Sequence, residues 1–473
     1  MRTETAMSEE GMAGTGKGGL RPDLVVAGAG GGLAGALRAA ELGLRVLVVE
    51  ASPHYAHGNN TAMSTAMVPG AGSRWQTEAG IDDSPEIFLA DVLAKTKGMA
   101  DRAVSHALTE VGARLVTWLA DYVGLPMELA TDIPYPGHTN FRCHTVPGRS
   151  GAKMLAGLIA KADADPRIDI LAPARLVDAQ PADDGLAAVI EFPDGSRETV
   201  DCGALLLATN GYGANREMVE RYIPEIAGAT YHGSAESRGD ALRIGLGLGA
   251  QADCLDAYQG HAALAVPYAT LLGWATMMHG GILVNNEGRR FGNESRGYSE
   301  YAAEVLAQPG GTAIAVIDDY IFEKCRPFDD FRATVEAGAL KWAESVEELA
   351  DLFGLDAAKL AATMADARAS SEEGKADAFG RSWWPHTLSG RLAGVRVTGA
   401  LFHTQGGLRV DEHAAVLRQD GTRVGHLYAS GGAAVGMSGH GASGYLAGNG
   451  LLPALGLAFL AAEDAARLAR SAS

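Results

Sequence analysis

A glycine-rich stretch near the C-terminus, residues 439–452, holds five glycines around a single phenol, Tyr445. Glycine adds no side-chain packing and loses more conformational freedom on folding than any other residue, so such a cluster marks backbone that turns sharply or closely approaches another group. A phenol hydroxyl beside bare backbone can donate a hydrogen bond to an oxygen of a bound molecule. The stretch therefore predicts a site where backbone and Tyr445 contact a ligand.

The segment of residues 23–50 predicts one β–α–β unit that binds a dinucleotide. An apolar run is followed by a glycine string, an alanine- and leucine-rich helical stretch, a break at Gly43 and a second apolar run that ends at Glu50. The glycines let the backbone approach a pyrophosphate, which lies on the partial positive charge of the helix N-terminus. Glu50 follows Gly28 by 22 positions. An acid about 20 residues on accepts hydrogen bonds from the adenosine ribose.

The glycine string permits two registers of the GxGxxG fingerprint. In one, Gly28 and Gly30 open the motif and Leu33 takes the third position. In the other, Gly30 and Gly32 open it and Gly35 completes it, which leaves a shorter helix. Both registers remain open at this point.

Two later segments favour FAD over a nicotinamide dinucleotide. Residues 204–215 and residues 403–432 each read as strands that deliver a glycine-rich turn, and the second ends just before the stretch around Tyr445. A fold that binds only NAD has no need to return to glycine-lined strands so late in the chain. An elongated flavin cofactor, which several segments contact, does need such late glycine-lined strands.

Bulk properties exclude several classes of function. The chain has 473 residues, of which 47% are hydrophobic, and a formal charge of -18. That charge disfavours nucleic acid and anionic lipid surfaces as partners. No apolar run approaches the roughly 20 residues that cross a bilayer. The four cysteines are widely spaced, without a metal-binding pattern, and are typical of buried thiols in a reducing compartment.

The first 21 residues predict a disordered tail. They lack the apolar core and the twin arginine of an export signal. We therefore expect a cytoplasmic protein.

Five stretches carry a resemblance to the fumarate reductase/succinate dehydrogenase flavoprotein superfamily, and within it to the 3-ketosteroid Δ1-dehydrogenase and tricarballylate dehydrogenase branches. They are residues 23–50, 57–67, 204–215, 281–295 and 403–417 joined to 427–432. The motif of residues 284–294, VNxxGxRFxNE, is the most specific. The resemblance extends over nearly the whole chain from about residue 22.

The resemblance implies an α/β fold in which a Rossmann-like FAD-binding domain, made of two sequence segments, receives an inserted α+β capping domain. We predict a tail at 1–21, the first part of the FAD-binding domain at 22–253, the capping domain at 254–398 and the second part at 399–473. The charged, helix-forming composition of residues 314–378 agrees with a separate layer between the two parts.

The same resemblance implies the residues that hold FAD. They are Gly28, Gly30, Gly31, Gly32, Glu50, Ala51, Asn59, Asn60, Thr61, Ser64, Ala208, Thr209, Gly211, Gly431 and Leu446. Relatives with covalent flavin attach it to a histidine, and the matching position here is Asn60, whereas His57 lies three positions away. We therefore expect non-covalent FAD.

Flavin-dependent oxidation of a C–C bond needs few protein groups. A hydride passes from the substrate Cβ to flavin N5, a proton leaves Cα on the opposite face, and a neighbouring carbonyl is polarised. The site therefore needs an acid/base and an electrophilic clamp.

Resemblance to the fumarate-reducing branch implies two histidines on one substrate carboxylate, and His403 and His261 match them. Met277 and Tyr445 stand where that branch has its proton-donating and carboxylate-clamping arginines. This difference weakens the case for fumarate reduction.

Resemblance to the ketosteroid branch implies Tyr298 as the base that removes the Cα proton. Tyr445, with the Gly448 amide, would then polarise the substrate ketone. A phenol has a pKa near 10 and is a poor base at neutral pH, so we expect Arg296 or His279 to lower the pKa of Tyr298. The alternative is that both tyrosines are half-buried residues at a domain seam, and that His261 is a core histidine.

Tyr122 and the loop of residues 133–151 are expected to form a wall of the substrate cavity. Arg142, Arg149 and His144 are candidates for binding a carboxylate there. An ordered surface loop is the alternative.

Three functions follow from this pattern. The first is desaturation of a C–C bond next to a carbonyl of a small ketone or carboxylate substrate, with a quinone, a flavoprotein or oxygen as external electron acceptor. The second is the reverse reaction, reduction of an enoate or enone with electrons from an external donor. The third is a flavin-carrying electron-transfer subunit. Steroid, cyclic ketone and polycarboxylate substrates all remain open.

Overall fold

The computed structural model describes residues 21–471. The tail predicted for residues 1–21 lies outside the described residues apart from Arg21. In chain order the strands are β1 (Leu24–Ala27), β2 (Val46–Val49), β3 (Val68–Pro69), β4 (Glu128–Leu129), β5 (Cys143–Thr145), β6 (Ile168–Leu171), β7 (Arg175–Ala182), β8 (Gly185–Glu191), β9 (Arg197–Cys202), β10 (Ala204–Leu207), β11 (Thr230–Tyr231), β12 (Ala252–Asp253), β13 (Tyr258–Ala265), β14 (Ile282–Asn285), β15 (Thr312–Asp318), β16 (Lys341–Ala343), β17 (Leu392–Thr404), β18 (Gly407–Leu408), β19 (Ala415–Leu417) and β20 (Arg423–Ala429).

Helices cover the faces of these sheets. They are α1 (Gly32–Glu41), α2 (Arg74–Glu78), α3 (Pro85–Lys95), α4 (Arg102–Trp118), α5 (Gly151–Asp163), α6 (Arg216–Tyr222), α7 (Asp240–Gly247), α8 (Ala275–Met278), α9 (Tyr298–Leu306), α10 (Asp319–Cys325), α11 (Asp329–Glu336), α12 (Val346–Phe353), α13 (Ala357–Glu373) and α14 (Leu451–Ser471). Short helical turns lie at Leu119–Val123, Pro224–Ile226, Glu294–Arg296, Pro309–Gly311 and Gly431–Ala433.

The first sheet has the order β19-β20-β10-β1-β2-β6, with all neighbours parallel except β19 and β20. The predicted β–α–β unit is confirmed as β1, α1 and β2. All four residues of β1 are buried, because α1, α5 and α14 cover one face of this sheet and strand β8 of the β7-β8-β9 sheet packs on its other face. The carboxyl ends of β1, β2, β10 and β20 therefore meet at one edge.

Helix α1 packs closely against the C-terminal helix α14, and glycine makes this approach possible. A Cβ built on Gly35 would lie 2.9 Å from the Ala458 carbonyl oxygen, so a larger residue would push the helices apart. The third glycine of the second fingerprint register therefore serves helix packing.

A second sheet is built around the long strand β17. Its order is β11-β17-β15-β14, and β13 and β16 also pair with β17. A separate hydrophobic core gathers on it, mostly from residues 262–397. The two largest cores and the two six-stranded sheets, with their covering helices, confirm the predicted α/β class. The exact domain boundaries stay a prediction. Strand β11 belongs to the second sheet although it precedes residue 254, and β17 crosses the predicted boundary at residue 398.

A buried ion cluster holds the VNxxGxRFxNE motif in place. Glu294 is fully buried and bonds to Arg290 at 2.6 Å and Arg381 at 3.0 Å, and it also accepts from the Leu283 amide at 3.0 Å. Arg289 is exposed and lies outside this cluster, 3.9 Å from the Glu287 carboxylate. The cluster fixes the chain just before Tyr298 opens α9.

No helix within residues 21–471 combines the length and apolarity needed to cross a bilayer. All four cysteines are buried thiols outside any disulfide.

Candidate active site

A cavity of about 1770 Å³, part of it open to solvent, lies between the two sheets. The residues that directly follow four parallel strands of the first sheet all line it: Gly28, Glu50, Ala208 and Ser430. Ligands of open α/β sheets bind at this carboxyl edge. The second sheet supplies the opposite wall through β13, β17 and the start of α9.

Most of the residues predicted to hold the cofactor line this cavity. They are Gly28, Gly30, Gly31, Glu50, Ala51, Asn59, Asn60, Thr61, Ser64, Ala208, Thr209 and Gly431.

Gly32, Gly211 and Leu446 lie outside the lining of the cavity. A Cβ on Gly32 would meet Val26 at 2.7 Å, and one on Gly211 would lie 1.8 Å from the Thr404 hydroxyl. Leu446 is fully buried. The structure thus places these three in packing contacts behind the wall.

The turn after β1 leaves no room for side chains. Gly28 has a φ of 111°, and a Cβ there would lie 2.4 Å from the Ala208 carbonyl oxygen. Gly31 is the N-cap of α1, and no side chain caps the helix. The amides of Leu33 and Ala34 bond to the carbonyls of Gly30 and Gly31, so the amides of the glycines before them are the ones left for an anion.

Glu50 is the acid at the end of β2 and is only 8% exposed. Its two carboxylate oxygens accept from the amides of Ala29 and Ser52, both at 2.7 Å. Each oxygen has a second lone pair, so the carboxylate can still accept from a ribose hydroxyl.

Two buried hydroxyl groups in the cavity wall, Thr209 Oγ1 and Ser430 Oγ, have no hydrogen-bond partner. Buried polar groups are nearly always paired in folded proteins, so these two call for a polar ligand. Together with the bare glycine turn and the open helix N-terminus, they fit a dinucleotide along this wall.

Asn60 and His57 differ sharply in position. Asn60 lines the cavity, donates to the Phe402 carbonyl at 2.9 Å and accepts from the Ser234 amide at 2.8 Å. His57 is exposed and does not line the cavity. The candidate attachment position is thus occupied by an amide that bridges two segments.

The four predicted catalytic residues gather at one end of the cavity. The rings of Tyr298 and Tyr445 are 5.6 Å apart at 64°, and His261 lies 4.9 Å from Tyr298. His403 lies 6.2 Å from Tyr445. Their sources are β13, α9, β17 and the glycine-rich stretch before α14.

The environment of Tyr298 raises its pKa well above 10. Burial is the main cause, and the neighbouring Tyr445 phenol adds to it. The expectation that Arg296 or His279 lowers this pKa is wrong, because Arg296 pairs with Glu304 and His279 faces Asp132. Burial also raises the pKa of Tyr445, to about 12, against the hydrogen bond from Tyr298. Both phenols are therefore neutral hydrogen-bond donors at neutral pH.

His261 is a neutral imidazole with a defined tautomer. Burial lowers its pKa to about 3. Its Nδ1 accepts from the Ala263 amide at 3.1 Å, so the proton lies on Nε2. The ring stacks on Phe402 at 5.3 Å and lies 4.9 Å from the Tyr298 ring, tilted by 31°.

His403 is also neutral, since burial lowers its pKa to about 4. Its Nε2 faces Gly450 and Tyr445: a Cβ on Gly450 would lie 2.9 Å from that nitrogen and 3.7 Å from the Tyr445 hydroxyl. The imidazole and the phenol thus flank one bare glycine.

A chain of buried polar groups orients His403 from behind. Asn449 Nδ2 donates to Ser438 Oγ at 3.1 Å, and Ser438 donates to the Gln405 side-chain oxygen. The Gln405 amide nitrogen then donates to His403 Nδ1 at 3.3 Å. The Thr404 carbonyl, at 3.4 Å from the same nitrogen, would need a proton there. The donor-to-acceptor direction along these hydrogen bonds favours Nδ1 of His403 as an acceptor, which leaves the imidazole proton on Nε2.

A further part of the cavity wall is polar. Arg149 bonds to Asp132 and donates to the Tyr135 hydroxyl at 2.8 Å, and its guanidinium stacks 4.0 Å above the Phe328 ring. Asp330 also lines this part, and burial raises its pKa to about 6. No sequence signal marked Asp330, which is the second residue of helix α11.

Three other candidates from the sequence face elsewhere. Arg142 is fully buried between Asp83 and Asp91, and His144 Nε2 bonds to Ser73 Oγ at 2.8 Å. Tyr122 stacks on Trp118 outside the cavity. The expectation that these residues bind substrate is wrong, and of the candidate cations only Arg149 reaches the cavity.

Comparison with known proteins matches residues 23–451 to the family described as FAD binding domain. The chain is 27% identical over 454 residues to fumarate reductase (cytochrome) of Shewanella frigidimarina, which covers 95% of this chain and 77% of the relative. It is 26% identical over 364 residues to 4-oxocyclohex-2-ene-1-carboxylate 5-dehydrogenase of Sinomonas cyclohexanicum, covering 68% of this chain and 60% of the relative.

Among solved structures, 3-ketosteroid delta1-dehydrogenase from Sterolibacterium denitrificans has a TM-score of 0.77 and covers 94% of this chain and 99% of its own. Its sequence identity is 21%, so this likeness shows the fold alone.

Proposed function

We propose that the protein desaturates the C–C bond next to a carbonyl of a small molecule. The chain belongs to the FAD binding domain family and is an FAD-dependent oxidoreductase that acts on CH–CH groups. The predicted superfamily and the FAD cofactor are confirmed by the family match and the relatives. Bound FAD supplies the hydride acceptor, and an external partner removes the electrons.

The observation that carries this proposal is the pair of phenols, Tyr298 and Tyr445, at the end of the cavity beside His403. The Tyr445 hydroxyl and the protonated Nε2 of His403 flank the same glycine, so two donors can converge on one carbonyl oxygen. Such donors stabilise negative charge as it develops on that oxygen. Polarising the carbonyl makes the neighbouring Cα–H acidic, and in this proposal Tyr298 takes that proton.

The relatives and the charged residues of the cavity narrow the substrate. One relative is named for a cyclic keto acid, 4-oxocyclohex-2-ene-1-carboxylate. The two tyrosines suit a ketone, while Arg149, which is paired with Asp132, is a cation in the cavity wall that would bind a carboxylate. Met277 does not line the cavity, and neither arginine implied by the fumarate-reducing branch is present there. A cyclic ketone or keto acid is therefore our preferred substrate.

The high pKa of Tyr298 favours a second candidate, reduction of an enone. A neutral phenol is a ready proton donor to Cα, whereas it must first lose its own proton to act as a base. The same side chains would serve both directions, and the external redox partner would decide between them.

Anaerobic mixing tests the proposal directly. A cyclic ketone, a cyclic keto acid and a tricarboxylate are each mixed with the oxidised holoenzyme, and the corresponding enones with the reduced holoenzyme. Bleaching of the yellow flavin by a ketone supports desaturation, and reoxidation by an enone supports reduction. If no carbonyl compound changes the flavin spectrum, an electron-transfer subunit without its own substrate becomes the better account.

Tyr298→Phe provides the matching variant. We expect the rate of flavin bleaching to fall by about 10²–10⁴-fold, the usual contribution of a positioned acid or base, with flavin content unchanged. A near-normal rate would remove Tyr298 from the scheme.

We also propose that FAD is held non-covalently, because Asn60 occupies the candidate attachment position and His57 lies outside the cavity. Acid precipitation should leave the yellow colour in the supernatant. Colour that stays with the precipitated chain would contradict this.

A further inference from the structure

A cluster of three metal-binding side chains lies outside the cavity, where the chain leaves β12 for β13. Asp253, Cys254 and His440 place a carboxylate oxygen, a thiol sulfur and an imidazole nitrogen within 4.8 Å of one another. We propose that these three residues bind a zinc ion, with Asp256 orienting His440. The site is independent of the proposed function.

The spacing of the two stronger ligands matches zinc. Cys254 Sγ and His440 Nε2 are 3.8 Å apart. Zinc binds sulfur at about 2.3 Å and histidine nitrogen at about 2.0–2.1 Å, which at a tetrahedral angle separates the two ligand atoms by about 3.6 Å. The pair therefore needs almost no movement to share one ion. Asp253 is exposed, and its Oδ1 accepts from the Cys254 amide at 2.8 Å, which holds the carboxylate beside the thiol and leaves the second oxygen for the ion.

His440 already has the partner that metal-binding histidines use. Its Nδ1 bonds to the Asp256 carboxylate at 2.7 Å, which leaves Nε2 unprotonated and directed towards Cys254. A carboxylate behind a histidine fixes the tautomer and raises the basicity of the nitrogen that binds the metal.

Backbone geometry brings the two segments together. Gly439 and Gly441 on either side of His440 have φ values of 63° and 65°, a left-handed conformation that glycine adopts without strain. The Tyr258 amide donates to the Gly441 carbonyl at 3.3 Å, which ties this turn to the start of β13. The loop that presents His440 is thus anchored beside Cys254 before any ion binds.

The charge around the thiol suits a cation. Asp253 accepts from the Cys254 amide at 2.8 Å, and Asp256 bonds to His440 at 2.7 Å. These two carboxylates make the field around the thiol and the imidazole more negative, which favours a bound cation. Zinc would displace the thiol proton into solvent, and the thiolate would bind the ion.

The consequence is structural. The ion would join the segment between β12 and β13 to the glycine-rich stretch, five residues before Tyr445. A metal that binds only the folded chain stabilises it by mass action. We therefore expect zinc to raise the melting temperature of the holoenzyme.

Cobalt(II) provides the test, because it reports thiolate ligation by a charge-transfer band in the near ultraviolet. The holoenzyme is stripped with a chelator, titrated with Co²⁺ and then displaced with Zn²⁺. We expect saturation at one equivalent, with the band lost in Cys254→Ser and weakened in His440→Asn. Asp256→Asn should bind the ion about 10–100-fold more weakly. His413→Asn, an exposed histidine elsewhere on the chain, is the matched control and should titrate like the wild type.

Two results would overturn the site. One is the absence of a charge-transfer band in a folded, flavin-loaded wild type. The other is a band that persists in Cys254→Ser, which would assign the metal to another thiol. Flavin absorbance monitors folding in every variant, so a variant that fails to fold is recognised. In that case the titration of Asp256→Asn decides, because this variant keeps all three proposed zinc ligands.

Discussion

Tyr298 lies among the candidate catalytic residues, but its raised pKa is unfavourable for a base. Burial and the Tyr445 phenol keep it protonated at neutral pH. If desaturation needs the phenolate, only a small fraction of enzyme is competent, and that fraction grows about tenfold per pH unit below the pKa. We therefore expect the rate of flavin bleaching by a ketone to rise about tenfold per unit between pH 6 and pH 9.

Reduction of an enone should behave differently over the same range. The neutral phenol is already the competent form, so the rate of reoxidation of reduced enzyme should be nearly constant. Stopped-flow absorbance of the flavin measures both directions. A bleaching rate that does not change with pH would show that another group, or a phenol deprotonated in the substrate complex, takes the proton.

Gln405 acts on the substrate only through His403. Its amide nitrogen donates to His403 Nδ1 and its oxygen accepts from Ser438. A glutamate at this position has the same shape but only accepts, so Gln405→Glu should move the imidazole proton from Nε2 to Nδ1. The carbonyl would lose one donor, and we expect kcat to fall by about 10–100-fold with flavin content unchanged.

Nitrogen NMR of the histidine ring would report the tautomer directly. Ser438→Ala is the control, because it shortens the polar chain but leaves the Gln405 amide able to donate. Equal losses in the two variants would show that the chain serves packing rather than the tautomer of His403.

At the scale of elements, the local patterns were the predictable part. The β–α–β unit was readable because its apolar periods, glycines and terminal acid all lie within residues 23–50. The partners of Arg142 were not readable, because Asp83 and Asp91 lie 59 and 51 residues away and no spacing rule links them to it. The same holds for Asp330, which the fold of the second sheet brings into the cavity.

The turn after β1 separates two roles of glycine. Gly28 and Gly43 both have positive φ, 111° and 96°, but a Cβ on Gly28 would strike the Ala208 carbonyl whereas Gly43 has nothing within 4 Å. Strain at such a φ costs about 1–3 kcal/mol for a residue other than glycine. Gly43→Ala should therefore lower the free energy of unfolding only by that strain. Gly28→Ala should in addition push the Ala208 segment away from the turn after β1 and so deform the cavity wall that is expected to hold the cofactor.

Flavin content per chain and melting temperature distinguish the two variants. We expect Gly28→Ala to lose most of its FAD and Gly43→Ala to retain it. If both variants lose FAD equally, the close approach of Gly28 to β10 has no special part in binding the cofactor.

At the scale of the whole molecule, the cavity depends on two independent cores. The first sheet presents its carboxyl edge, and the second sheet presents histidines and tyrosines from neighbouring elements. The polar groups between them lie away from bulk water, so their protonation is coupled to folding.

Four histidines, two of them buried and two partly buried, make the fold sensitive to acid. Burial lowers the pKa of His138, His144 and His403 to about 4 and that of His261 to about 3. The unfolded chain binds their protons near pH 6.5 and the folded chain does not, so stability is lost as pH falls from about 6.5 towards 4. Each histidine costs about 1.4 kcal/mol per pH unit across that window. We expect the melting temperature of the holoenzyme to fall steeply below about pH 6.

Asp330 has the opposite effect on how stability changes with pH, and a substitution at this position isolates that effect. Burial raises its folded pKa from 3.8 to about 6, so the charged form is penalised above pH 6 and the folded chain gains stability by binding a proton as pH falls towards 3.8. Asp330→Asn removes that penalty without changing the shape of the side chain. The variant should be more stable than the wild type at pH 7 by about 1–3 kcal/mol, and the difference should disappear towards pH 4. Calorimetry of both proteins across this range measures it, and a difference that is independent of pH would mean that Asp330 stays charged in the cavity, paired with a cation such as Arg149.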